Sequence, residues 1–233
     1  TGLLGMTITG DAFNLFVFLE ISSLSTYAMI SLGKSRNAMT AAFRYLILGT
    51  LGATFYVIGV GMMYQMTGTL NMADLAEKLP AVAETRTILV ALGFLTVGIG
   101  LKIGLFPLHV WLPNAYAYAP SVVTAFLAAT ATKVAVYVIL RIYFTVFSME
   151  IIAKFPLDET LLILGLTSIV VMSAVAIFQN DAKRLLAYSS VAQLGYMIIG
   201  ISLLTTSGVA AGILHVFNHG LMKAALFLAL ACV

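Results

Sequence analysis

Glu20, Lys102, Lys133 and Lys223 each fall near the middle of a long apolar run, where a charged side chain is least at home. A charge at bilayer depth costs about 3 kcal/mol on insertion scales, and such residues mark ion pathways or pair with one another. The chemistry open to this set is proton transfer. A buried lysine can release and regain its proton as a neighbouring carboxylate withdraws or approaches. Arginine keeps its proton, so three lysines at this depth mean more than three arginines would. The opposing reading is structural: an acid held by one base, fixing how two helices pair.

His215, His219 and Lys223 follow at i, i+4 and i+8, which places them on one face of a helix. Histidines four apart can hold zinc. Here no carboxylate or cysteine stands nearby in sequence, and Lys223 on the same stripe repels a cation, so no metal site is expected. The stripe is suited to relaying protons, or to hydrogen bonds between helices. Arg44 lies a turn or two from the end of its span, which leaves it between a headgroup contact and a place beside Glu20. Arg141 sits nearer the opposite face, where it is expected to snorkel to the headgroups. His109 belongs either to the relay or to a structural network.

The elements that must position these groups are membrane helices. The chain has 233 residues, 61% of them hydrophobic and only 9% charged, with a mean hydropathy of +1.07. Soluble domains carry about 25% charged residues, so the fold class is all-α, a polytopic transmembrane bundle. A net charge of +3 with scattered bases offers nothing to nucleic acid. The single Cys232 permits no internal disulfide. Phosphate-loop, dinucleotide and haem signatures are absent, as is any nucleophile–base–acid set, so no cofactor and no catalytic residue is expected.

Crossing the hydrocarbon core takes about 20 apolar residues. On that measure about seven spans are expected: Ala12–Leu32, Ala38–Met66, Thr87–Trp111, Ser121–Phe147, Thr160–Phe178, Leu185–Leu204 and Gly208–Cys232. Thr1–Gly10 reads as the tail of a further helix. With no initiator Met and an end inside an apolar run, residues 1–233 read as a single transmembrane domain, an internal piece of a longer protein. Loops on one side hold Lys34, Arg36, Lys183 and Arg184 against Asp181 alone; those on the other side are mostly acidic. The positive-inside rule puts the basic side in the cytoplasm. Trp111, Tyr116 and Tyr118, near a span end, read as interfacial anchors. Ala125, Ala128, Ala129 and Thr132 form a small-residue face for close packing.

The third span is interrupted. Gly98, Gly100, Lys102 and Gly104 precede Phe106-Pro107, and Pro113 follows. Proline removes a backbone donor and clashes with the preceding turn, so the helix is expected to break near Phe106. At membrane depth a broken helix survives only when it is buried in protein or lines a wet cavity. Transporters use such breaks to bind ions.

Four segments carry a resemblance: Gly10–Glu20, the run Lys102-Ile103-Gly104-Leu105-Phe106-Pro107-Leu108-His109-Val110-Trp111-Leu112-Pro113, Asp181–Ser190 and His215–Phe227. Together they resemble the antiporter-like membrane subunits, the proton-conducting membrane transporter family. That family includes the D-type component of multisubunit Mrp sodium/proton antiporters and the large membrane-arm subunits of respiratory complex I. Phe13–Glu20 and Leu112–Lys133 look closest to the D-type. The resemblance implies a protein of about fourteen helices with two inverted repeats, each holding one broken helix. Glu20 then matches the family's key glutamate, Lys102 the lysine of the first broken helix, and Lys133 the lysine linking two half-channels. His215, His219 and Lys223 match part of the central polar axis. Arg44 stands where many relatives have lysine, a departure that counts against a titrating role. The second broken helix would lie beyond Val233.

The function expected is proton translocation within a multisubunit sodium/proton antiporter of the plasma membrane, with other membrane subunits, the lipid bilayer, protons and Na+ as partners. The alternative is a non-redox, proton-pumping subunit of an NADH:quinone oxidoreductase. A third reading, a scaffold whose charges only fix helix pairing, predicts that neutralising Lys102 impairs assembly and nothing else.

Overall fold

The structure, a computed structural model, describes residues 1–232. Its helices are α1 (Gly2–Ile8), α2 (Ala12–Ser31), α3 (Arg36–Thr67), α4 (Met72–Val82), α5 (Arg86–Ile103), α6 (Leu112–Tyr118), α7 (Ser121–Phe126), α8 (Thr132–Arg141), α9 (Met149–Ile152), α10 (Leu157–Ile177), α11 (Ala182–Ser202) and α12 (Thr206–Ala229). Among the described residues there is no strand. Among the described residues seven helical segments are long and apolar enough to cross a membrane. Six coincide with expected spans to within three residues at each end, and the third, expected to run to Trp111, ends at Ile103. The chain is a multi-pass, all-helical membrane protein.

Side-chain caps set several starts. Asp11 accepts hydrogen bonds from the backbone N–H groups of Phe13 and Asn14 at 2.9 and 2.8 Å, and so opens α2. Asn71 does the same for α4, and Asp181 for α11. The N–H of Ala12 donates to the Leu70 carbonyl, and that of Met72 to the Gly10 carbonyl, tying the two capped starts together.

The third span breaks as expected, but glycine ends the helix ahead of the proline. Gly104 takes φ +78°, a left-handed cap that a residue with a Cβ adopts only at a cost. Phe106 and Pro107 lie in the turn that follows, before α6 resumes at Leu112. This turn redirects Trp111. Its indole Nε1 donates to the Leu101 carbonyl at 2.8 Å, and its ring stacks on Tyr45 with centroids 3.9 Å apart. Trp111 and Tyr116 are therefore buried, and the expectation that they anchor at the interface is corrected. Only Tyr118 remains half-exposed.

Two further features differ from the sequence reading. The acidic stretch read as a loop contains α4, with Met72, Leu75 and Leu79 buried at helical spacing. It packs on the end of the fourth span and covers the turn after Arg141. Arg141 consequently does not snorkel freely: it is half-buried, and its Nη1 is buried with no acceptor. The fourth span, Ser121–Val146, also contains two π-helical turns, Leu127–Ala131 before α8 and Ile142–Val146 after it.

Helix contacts divide the bundle into two groups with the fourth span between them. α3 packs on α2, α5 and α6, while α11 packs on α10, α12 and α6. α8 touches α1 and α5 on one side and α12 on the other. The crossing of α3 and α5 is close because glycine faces glycine. A Cβ built on Gly98 would lie 2.6 Å from the Gly52 carbonyl oxygen and 2.8 Å from the Tyr56 nitrogen. Small residues at such crossings allow the backbone approach that holds membrane helices together.

Candidate functional site

Lys102 lies in the last turn of α5, two residues before the break, and is buried. Its ammonium donates to the hydroxyl of Ser23 on α2. Tyr27 and Tyr45 flank it, with ring centroids 5.7 and 5.5 Å from Nζ. Ser23 in turn donates to the Leu19 carbonyl at 2.6 Å. Glu20 stands one turn before Ser23 on the same helix, and its Oε1 is buried without a hydrogen-bond partner. The acid and the lysine thus sit near one another without forming an ion pair. Among the described residues the ion pairs are Lys78–Asp74 at 2.9 Å and Lys154–Glu84 at 3.0 Å, both well exposed.

A cavity of about 30 Å³ touches Ser23, Tyr45 and Lys102 on one side and Ala131 and Ala135 of the fourth span on the other. A volume of that size admits a water molecule where polar groups face it. It joins the surroundings of Lys102 to the stretch that carries Lys133.

Lys133, at the start of α8, is also buried. Its ammonium donates to the Ala128 carbonyl at 2.5 Å and contacts the Thr132 hydroxyl at 3.2 Å. Ala128 lies in the π-helical turn, five residues earlier, where the wider helix frees a carbonyl that an α-helix would engage. Gly220 of α12 meets this point: a Cβ there would lie 3.2 Å from the Ala129 carbonyl oxygen and 4.0 Å from Cγ of Lys133. The small-residue face of the fourth span is what allows that approach, with Ala125, Ala128 and Thr132 buried.

The neighbour of Gly220 is His219, fully buried, with neither ring nitrogen hydrogen-bonded. His215 stacks on it at 6.0 Å between ring centroids. Lys223, the next member of the stripe, donates to the Leu186 carbonyl at 2.9 Å and to the Ser189 hydroxyl at 3.1 Å, both on α11. Three buried lysines on three spans therefore each hold a hydroxyl or a carbonyl, and among the described residues none holds a carboxylate.

The expected residues separate into those brought together and those left apart. Lys102 of α5 reaches Ser23, one turn from Glu20 on α2. Helix α12, which carries His215, His219 and Lys223, packs on α8 beside Lys133 and reaches α11 through Lys223. His109 lies in the turn after the break, stacked on Phe106 at 5.5 Å, with Nδ1 buried and unpartnered. Arg44 is exposed and lines a different cavity. The residues that sequence reasoning missed are Ser23, Tyr27, Tyr45, Ser189 and the Ala128 carbonyl. Ser23 had a usable signal: it lies three residues after Glu20, hence on the same helix face. Among the described residues no cluster of His, Cys, Asp and Glu could hold a metal.

Comparison with known proteins finds relatives of this chain. The family described as NADH:quinone oxidoreductase/Mrp antiporter, TM, matches residues 9–233. The N-type component of the NADH-quinone oxidoreductase of Desulforudis audaxviator is 49% identical over 97% of this chain and 45% of its own length. The D-type component of the Na(+)/H(+) antiporter of Alkalihalophilus pseudofirmus is 36% identical, again over 97% of this chain and 45% of its own. Among solved structures, the membrane-bound sulfane sulfur reductase, an archaeal respiratory membrane complex, contains a chain that is 35% identical with a TM-score of 0.90. The match covers 99% of this chain and 47% of that one. The chain spans about half the length of the relatives it matches.

Proposed function

Because the chain belongs to the NADH:quinone oxidoreductase/Mrp antiporter transmembrane family, we propose that it translocates protons as part of a longer membrane subunit. The relay groups are Glu20, Lys102, Lys133, His215, His219 and Lys223. One observation carries this reading: the buried lysines donate to hydroxyls and carbonyls, while Glu20 keeps a buried oxygen free. A charge at this depth without a counter-charge is costly, so such an arrangement is of use where the charge must come and go. Lys102 held by Ser23 is the open state of a Glu20–Lys102 switch. Moving the ammonium from the serine to the carboxylate closes it. Arg44 and His109 stand outside the relay.

The relay fits two settings. The motifs Phe13–Glu20 and Leu112–Lys133 and the likeness to the D-type antiporter component support exchange of sodium, or another cation, for protons in a multisubunit complex of the plasma membrane. The 49% identity to the N-type oxidoreductase component favours proton pumping, without a redox group of its own, within a respiratory assembly. Coverage of 45% of these relatives supports reading residues 1–233 as one domain within a longer protein.

Everted vesicles carrying the full-length protein in its native complex separate the settings. Collapse of a pH gradient on adding sodium, abolished by Lys102→Ala, supports the antiporter. Absence of a sodium response, with NADH-driven acidification lost in the same variant, supports the respiratory pump. Normal flux in Lys102→Ala in both assays overturns the relay.

A further inference from the structure

At the basic end of the bundle, α3, α6 and α11 enclose a cavity of about 170 Å³ that the relay does not use. Arg44 of α3 and Arg184 of α11 both line it, together with Asn37, Thr40, Asn114 and Tyr118. Among the described residues no carboxylate lines it. Arg184 is held in place by Asn114 Oδ1 at 2.7 Å and the Tyr118 hydroxyl at 3.2 Å, with its guanidinium 5.6 Å from the Tyr118 ring centroid. Asp181, the nearest acid in sequence, has its Oδ1 engaged by the backbone of Arg184 at the start of α11. Tyr118 also lines a second cavity of about 440 Å³, together with Lys34 and Lys183. Four bases thus face two adjoining cavities with no acid among the lining residues. Paired guanidinium groups flanked by neutral amides and hydroxyls suit a phosphate, which accepts several N–H bonds at once.

The surroundings define the rest of the ligand. Beside Arg44, Met39, Phe43 and Ile47 form an exposed apolar stripe at i, i+4 and i+8 along the spanning helix α3. Leu32, near Lys34 in the same loop, is exposed as well. A phosphate at the helix ends, with an apolar track leading from it along a spanning helix, has the outline of a lipid.

We propose that the Arg44/Arg184 cavity binds the phosphodiester of an anionic glycerophospholipid, with one acyl chain lying along Met39, Phe43 and Ile47. The neighbouring Lys34 and Lys183 favour a headgroup with no cationic amine. The site stands independently of the proton relay.

The test uses the intact complex, delipidated in detergent and titrated with phosphatidylglycerol while bound lipid is counted by native mass spectrometry. Each base near a phosphate contributes about a fivefold gain in lipid binding. The double variant R44Q/R184Q should therefore bind about twenty-five-fold more weakly, while Lys78→Gln at the other end leaves binding unchanged. Phosphatidylcholine should bind less well, and inorganic phosphate should not displace the lipid. Equal retention in the double variant overturns the site, and displacement by phosphate assigns it to the free anion instead. A second measurement needs no variant: a photoactivatable phosphatidylglycerol should label the segments 37–47 or 114–118 of the wild-type chain. Labelling only elsewhere, or a cross-link from position 44 to a carboxylate of another protein in the complex, contradicts the proposal.

Discussion

Ser23→Ala removes the hydroxyl to which the Lys102 ammonium donates. Ser23 is buried, and Lys102 donates to no other acceptor among the described residues; the two tyrosine rings contribute only their faces. A hydrogen bond to a charged group contributes about 1.5–3 kcal/mol, and leaving the charge unsatisfied costs at least as much. At about 1.36 kcal/mol per tenfold, losing the open position shifts the balance between Ser23 and Glu20 by about 10- to 150-fold. A relay that must visit both positions slows by a comparable factor, because one of its two states is nearly lost. The assay is proton flux per assembled complex in vesicles, with Ser23→Thr as the control that keeps the hydroxyl. Ser23→Ala should lower flux by at least about tenfold at normal assembly, and Ser23→Thr should retain a large part of it. Flux within about twofold of wild type in Ser23→Ala, at equal complex abundance, refutes the switch.

Other perturbations test the scaffold. Gly98→Ala puts a methyl 2.6 Å from the Gly52 carbonyl oxygen at the α3–α5 crossing; overpacking of this kind costs about 1–3 kcal/mol, read as a lower thermal midpoint of the complex. Gly104→Ala forces a Cβ onto φ +78° and to 2.8 Å from Leu112 Cδ1; the left-handed conformation alone costs about 1–2 kcal/mol, and thermal unfolding should register it. Asp74→Asn should leave stability near neutral pH almost unchanged, because the Asp74–Lys78 pair is exposed. The hydrogen bond from Lys78 holds the Asp74 carboxyl below its usual 3.8. Any contribution is therefore full above that ordinary value and disappears as pH falls through the lowered one, a trend that an acid titration of unfolding would show.

The spans were legible because each is a long apolar run, and the charges within them stood out for the same reason. Ser23 was less legible: it shares a helix face with Glu20, but a serine in an apolar helix ordinarily bonds its own backbone, as Ser23 does at Leu19 while also accepting from Lys102. The π-helical turn at Leu127–Ala131 has no sequence mark, since Leu-Ala-Ala-Thr-Ala is ordinary α-helical composition. Trp111 was misplaced because its position at a span end fits an anchor, while the direction of the chain after Gly104 depends on packing against Tyr45. α4 was readable, with Asn71 as its cap and Met72, Leu75 and Leu79 at helical spacing, but its charges outweighed that pattern. Arg141 followed from the same omission, since α4 covers that end of the span.

Lys102→Arg is the most direct test of proton carriage by the buried lysines. Arginine preserves the positive charge and its hydrogen-bonding capacity but does not release its proton, so a purely structural role tolerates the change and a relay does not. Proton flux per assembled complex should be lost in Lys102→Arg while complex abundance stays near wild type. Flux retained at wild-type levels in that variant would contradict the relay and leave Lys102 as a fixed charge.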